Sequence, residues 1–273
     1  MSDKTAIGWT DATWNPVTGC SKVSPGCEHC YAEAVSHRFG WTTQPWTLRN
    51  AAANVQLHPE RLMHPLRWQA PRKVFVNSMS DLFHPAVPDA FLNEVFAVMA
   101  EASHHIFQVL TKRPERMRDF MQDVWTGQHE PLPNVWLGVS CEDQRRADER
   151  IPLLLQTPAV VRFLSCEPLL GPVDLTALPV PLPGPGHDTV PVNVLHRTSV
   201  FAPKIHWVIV GAESGPGARP MDDGWVRSLR DQCQGANVPF FFKQRCHNGH
   251  KETDPLLDGR QWLEYPVAKE ESV

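Results

Sequence analysis

The chain has no apolar run long enough to cross a bilayer. Its most hydrophobic stretches, such as Trp207–Val210 and Phe240–Phe242, fall far short of the roughly 20 residues that a spanning helix needs. The first residues, MSDKTAIGWT, carry no apolar signal-peptide core, so the expectation is a soluble, cytoplasmic protein with no membrane partner. Neither sign of charge dominates. Twenty-six basic residues stand against 30 acidic ones, for a formal charge of −4, which excludes a generally basic nucleic-acid coat and leaves a local basic groove open. There is no internal repeat and no low-complexity tract. At 273 residues a domain buries about 70–75% of its unfolded surface and needs no disulfide staples. The seven cysteines, without a secretion signal, therefore point to metal or redox chemistry at some of them.

What is present is a recurring unit: a short apolar run, a polar knot at its end, then an amphipathic stretch. The runs are 73–77 (KVFVN), 105–110 (HIFQVL), 134–138 (NVWLG), 160–164 (VVRFL), 206–211 (HWVIVG) and 238–242 (VPFFF), with 13–17 (TWNPV) as a shorter first strand. Val, Ile and Phe in short runs suit strands buried on both faces. Between them, 89–103 places Phe91, Leu92, Val95, Phe96 and Met99 on one helical stripe. A second helix opens at Pro114, and a third is capped by Asp222 or Asp223 and ends near Gly235. Strand alternating with helix predicts an α/β fold with parallel strands, a complete or partial (β/α) TIM-like barrel, the alternative being an open doubly wound sheet. One domain over 1–267 is expected, with a Pro-rich insertion at about 172–203 and a frayed tail at 268–273. Residues 42–68 read as an irregular wall with one short helix from about Pro59.

The strongest local signal is Cys20-x6-Cys27-x2-Cys30, three cysteines within eleven residues. Pro25 and Gly26 allow the loop between them to return tightly, and 31–39 reads as the helix that follows. Three thiolates leave one iron of a 4Fe–4S cluster open. A closed structural zinc site wants a fourth ligand, which here is His29, His37 or a distant histidine. Both readings stay open on spacing alone, as does a set of unrelated thiols.

A cysteine triad after a first strand, followed by a barrel pattern, resembles the radical S-adenosylmethionine superfamily. More closely, the chain resembles a phage-associated three-Cys-motif family. The stretches that carry the resemblance are WTDATWNPVTGCSKVSPGCEHCYAE (9–33), RWQAPRKVFVNSMSDLFHPAVP (67–88), FQVLTKRPERM (107–117), PNVWLGVS (133–140), RFLSCEPLLGPVDL (162–175), WVIVGAESGPGARPM (207–221) and VPFFFKQ (238–244). The resemblance implies that Cys20, Cys27 and Cys30 ligate three irons of a 4Fe–4S cluster. S-adenosylmethionine would bind the fourth and be cleaved to a 5′-deoxyadenosyl radical that abstracts a substrate hydrogen. An electron donor such as a flavodoxin or ferredoxin is implied as a partner. The chain departs from the superfamily pattern in its six-residue first spacing and in His29 where an aromatic is usual.

The barrel reading places functional residues at the C-terminal ends of strands, and polar residues do gather there. Asn77 and Ser78, with Gly211, Glu213 and Ser214 of the glycine-rich GAESGPGARP, are candidates for holding the cofactor's methionyl group and ribose. Lys112, Arg113 and Lys243 form a cationic set suited to a phosphate or a carboxylate. Glu142 and Glu167 would pair with those cations or orient the substrate, while Ser140-x-Glu142 could instead cap the next helix. Cys141 and Cys166 read as small buried residues. The substrate expected on this reading is a nucleotide, nucleic acid or other phosphorylated molecule. The alternative function is a non-catalytic, zinc-stabilised module that binds nucleic acid or a protein. A barrel hydrolase ranks last, because it leaves the cysteines unexplained.

Overall fold

The computed structural model describes residues 5–124, 130–181, 188–196, 203–215, 217–247 and 250–267. Eight strands form one sheet: β1 (Ala12–Trp14), β2 (Lys73–Val76), β3 (Ile106–Thr111), β4 (Val135–Ser140), β5 (Val161–Cys166), β6 (Trp207–Gly211), β7 (Phe240–His247) and β8 (His250–Thr253). Their spatial order is their chain order. The first seven run parallel and β8 turns back antiparallel on β7. Helices α1 (Tyr31–Arg38), α2 (Asp89–Glu101), α3 (Pro114–Val124), α4 (Gln144–Gln156) and α5 (Asp223–Gly235) lie in the crossovers, except that from β5 to β6, which has no helix among the described residues. A doubly wound sheet reverses its strand order at a switch point; this one never does. Among the described residues no ladder joins β1 to β7 or β8, so the sheet is a curled α/β half-barrel, the partial form of the expected barrel.

Side-chain alternation along the strands sorts the core into two layers. Val74 and Val76, Phe107 and Val109, Leu137 and Val139, and Phe240 and Phe242 face outward and share one apolar cluster with the helices. The residues between them face inward: Phe75, Trp136, Phe163, Trp207, Ile209 and Phe241 form a second cluster with Trp9. Trp207 sits at its centre, with ring centroids 6.2 Å from Trp9, 6.0 Å from Trp136 and 5.8 Å from Phe163. This aromatic plug occupies the concave side and leaves the C-terminal end of the strands for a cavity.

Local signals account for most helix boundaries, with some corrections. Pro88 precedes α2 and Pro114 opens α3. Asp222 caps α5 by accepting the Gly224 N–H at 2.6 Å. The cap of α4 is Asp143, which accepts the Arg146 N–H at 2.8 Å, and not the Ser140–Glu142 pair. The first strand is only Ala12–Trp14, because Val17–Thr18 pairs separately with Gln56–Leu57. The helix expected from Pro59 is a single 3-10 turn, Pro59–Arg61. Within the Pro-rich insertion, Leu178–Pro181 and Thr189–Val192 form an antiparallel ribbon. Residues 182–187 and 197–202 of that insertion, and the tail at 268–273, lie outside the described residues. No described helix is long and apolar enough to cross a membrane.

Candidate functional site

The cavity at the C-terminal rim has a volume of about 490 Å³, within the range of small-molecule sites. Trp9 and Phe75 of the aromatic plug form part of its lining. Cys20, Cys27 and Cys30 all contribute to its wall. They are partly exposed, and none is in a disulfide. Asn77, Ser78, Glu213 and Ser214 line it, as do Lys112, Arg113, Glu167 and Lys243. Two expected site residues do not line it. Glu142 is fully buried behind the cysteine loop. Gly211 packs its α-carbon against Glu167, whose Cδ would lie 3.3 Å from an added Cβ.

The cysteine loop is fastened from three strands. Beyond the end of β3, Arg113 donates to the Ser21 carbonyl at 2.8 Å and to the Cys20 sulfur at 3.5 Å. Beyond β4, Glu142 accepts the Gly26 N–H at 3.2 Å and is neutralised by Arg150 at 2.9 Å. Beyond β6, Arg219 donates to the Pro25 carbonyl and to Glu28, each at 2.9 Å, while its guanidinium grips Glu213 at 2.6 Å. Glu213 also meets His29 Nδ1 at 2.8 Å. With its oxygens engaged in this way, Glu213 holds the loop rather than offering itself to a ribose. Glu142 likewise acts on the loop backbone and not on the cavity.

Asp81 organises the wall beside Cys20. It accepts from Thr111 Oγ1 at 2.7 Å, from the Lys112 N–H at 3.0 Å and from Arg113 Nη1 at 2.9 Å. Burial pushes its carboxyl up, but the Arg113 charge and these hydrogen bonds outweigh that, so it titrates below the ordinary value. Arg113 thus turns to Asp81 and Cys20 and is spent on structure, whereas Lys112 reaches Ser140 Oγ at 3.1 Å and Lys243 pairs with Glu167. Burial raises the Cys20 thiol to about 12 even with Arg113 opposing it. Cys30 is raised by burial as well. The sulfurs as they stand do not form a metal cage: among the described residues, no three His, Cys, Asp or Glu side chains converge in that way.

Arg113, Glu142 and Glu213 stand among the polar knots of the sequence, but their role as fasteners of the cysteine loop depends on distant partners. Asp81 sits in a polar knot, but nothing local says that it pairs with Arg113, 32 residues later. Arg219 was visible only as the one cation of a glycine-rich loop. Lys251, on β8, also lines the cavity and lies beyond the last apolar run of the sequence.

The Glu213 clamp has a pH signature. Burial alone would raise its carboxyl, but hydrogen bonds from the Arg219 side chain and backbone and from His29 bring it down to about 2, against an ordinary 4.5. A depressed carboxylate contributes stability that is complete above its unfolded pKa and is lost as pH falls through the folded one. Arg219→Ala is therefore expected to lower the urea midpoint at pH 6, and the gap from the unaltered protein should narrow as pH drops from about 4.5 toward 2. A gap that stays constant over that interval would count against the clamp.

The chain belongs to the family described as a protein of unknown function, DUF5131, which matches residues 4–266. Comparison with curated proteins and with solved structures gives no match.

Proposed function

We propose that this chain is an iron–sulfur enzyme of the radical S-adenosylmethionine type, with Cys20, Cys27 and Cys30 as the protein ligands of a 4Fe–4S cluster. The observation that carries this reading is that three free thiols from one short loop share the wall of a rim cavity with Lys112, Glu167 and Lys243. The donor set fits an open cluster in number and chemistry, since three thiolates leave one iron for a further ligand. Arg113, beside Cys20 Sγ, favours the thiolate that a metal requires. The zinc alternative needs a fourth ligand, and His29, one candidate, is engaged by Glu213 at 2.8 Å.

When bound, the cluster supplies the electron that cleaves the sulfonium of S-adenosylmethionine. The chain's own residues bind and orient. Asn77, at φ 60, uses Oδ1 to accept the Val17 N–H at 3.3 Å. Its Nδ2 is buried and has no partner among the described residues. The Ser78 hydroxyl is tied to Asn15 at 3.2 Å, so Ser78 shapes the wall. Arg219, Glu213 and Glu142 fix the cysteine loop against the half-barrel. Trp9 and Phe75 of the aromatic plug supply apolar lining to the cavity.

Anaerobic purification followed by iron, sulfide and zinc counts tests the reading. About four irons and four sulfides per chain are expected, with loss of both in the Cys20→Ala, Cys27→Ala, Cys30→Ala triple variant and an unchanged far-UV spectrum. Formation of 5′-deoxyadenosine after reduction with S-adenosylmethionine is the second readout. One zinc and no iron, even after anaerobic reconstitution, would overturn the proposal in favour of the zinc-stabilised binding module.

A further inference from the structure

The charges around the cavity do not cancel. Asp81 meets Arg113 at 2.9 Å, Glu33 meets Lys22 at 2.9 Å, Arg219 meets Glu213 at 2.6 Å, and Glu167 pairs with Lys243. Two further cations line the same cavity, Lys112 and Lys251, and among the described residues neither forms an ion pair. The Lys112 ammonium donates to the Ser140 hydroxyl at 3.1 Å. Lys251 stands opposite Cys246 on the β7–β8 hairpin, the element that also carries Lys243. Burial, then the like charge of Lys243, depress the Lys251 ammonium, with Glu167 and Asp254 opposing. An anion in the cavity would offset the like charge of Lys243.

Two residues of the lining also hold buried donors that have no partner among the described residues. Asn77 is 2% exposed and lines the cavity, and its Nδ2 lacks an acceptor. The Nε1 of Trp9, also 2% exposed and part of the lining, lacks one too. A buried donor without a partner costs free energy until a ligand or water supplies one.

The two uncommitted ammonium groups decide which anion fits. A phosphoryl monoester carries about −1.5 to −2 charges at neutral pH and three strong acceptor oxygens, whereas a carboxylate brings a single charge. We propose that the substrate of this site bears a phosphoryl group, received by Lys251 together with Lys112 and Lys243, with Glu167 holding the Lys243 ammonium in position. Calling that ligand a substrate rests on the iron–sulfur reading above; the anion site itself does not require iron.

The test is titration of inorganic phosphate into iron-loaded and iron-free protein, followed by calorimetry and by ³¹P line broadening, with acetate at equal ionic strength as comparator. Phosphate is expected to bind both forms and to outcompete acetate. Lys251→Ala, on the terminal strand β8, should keep the far-UV spectrum and weaken phosphate binding about tenfold or more, the scale of one charge-assisted hydrogen bond. Lys251→Arg should recover most of that loss, and Lys112→Ala should weaken binding independently. Absence of phosphate binding in both forms, equal binding by the Lys251→Ala variant, or acetate binding as tightly as phosphate would each overturn the proposal. Iron counts on the same preparations keep the two readings apart: protein that binds phosphate but takes up no iron on anaerobic reconstitution would overturn the cluster alone and leave the anion site standing.

Discussion

Gly19→Ala is expected to destabilise the protein by about 3–5 kcal/mol, the sum of backbone strain and overpacking. Gly19 has φ +79, and a Cβ there would lie 1.8 Å from the Asn54 carbonyl oxygen and 2.5 Å from its carbon. Backbone, unlike a side-chain tip, cannot swing aside. The Gly19 N–H is also bonded to the Met79 carbonyl at 3.0 Å, so the residue cannot retreat without breaking that link. Cys20 follows directly, and its thiol is expected to react faster with an aromatic disulfide reagent in the variant. Gly40→Ala is the matched control. Its φ is +67, but nothing lies within 4 Å of an added Cβ, so it isolates the strain, about 1 kcal/mol. Urea midpoints for the two variants measure the difference, and equal shifts would show that the Asn54 carbonyl yields.

Asp81→Ala is expected to cost about 3–5 kcal/mol, as breaking a buried ion pair from one side does. The Arg113 side chain is only 10% exposed and its Asp81 partner 9%, so the surviving guanidinium keeps its charge in a largely dry setting. Asp81 also accepts from Thr111 and from the Lys112 and Phe83 backbone, and those donors would lose their acceptor too. Adding Arg113→Met to the Asp81→Ala variant should restore part of the stability, with a coupling of about 1–3 kcal/mol in the double-mutant cycle. Because the folded Asp81 carboxyl lies below its ordinary value of 3.8, its contribution is complete above that pH and fades as pH falls through the folded value. An additive cycle would mean that the two residues act separately.

The strands were legible because strands buried on both faces are apolar at most positions, Gln108 in β3 and Arg162 in β5 being interruptions. Val74–Val76, Leu137 and Val208–Val210 show no polar gap, as the two clusters require. Their C-terminal ends were less legible. Thr111, Ser140 and Ser165 continue the ladders past the apolar runs, since parallel pairing uses the backbone and is indifferent to a polar side chain that faces a cavity. The rim itself could be read from the position of the polar knots. The roles of individual rim residues could not, because they depend on partners far along the chain. Glu142 and Glu213 look alike as rim carboxylates, yet an arginine from α4 claims one and an arginine from the β6 loop claims the other. Whether the barrel closes was equally unreadable, because closure depends on how strongly successive strands twist and tilt.

The strand order has a temporal consequence. A chain made from its N-terminus lays down β1 through β5 in the order in which they pair, so each new strand after β2 finds its neighbour already synthesised. The cysteine loop is among the first parts made, but its attachment through Arg219 to Pro25 spans 194 residues, and that of Glu213 to His29 spans 184. During synthesis the three thiols therefore exist for most of the chain's growth without the β6-side clasp, and the last fastening of the loop arrives only with the C-terminal third of the molecule.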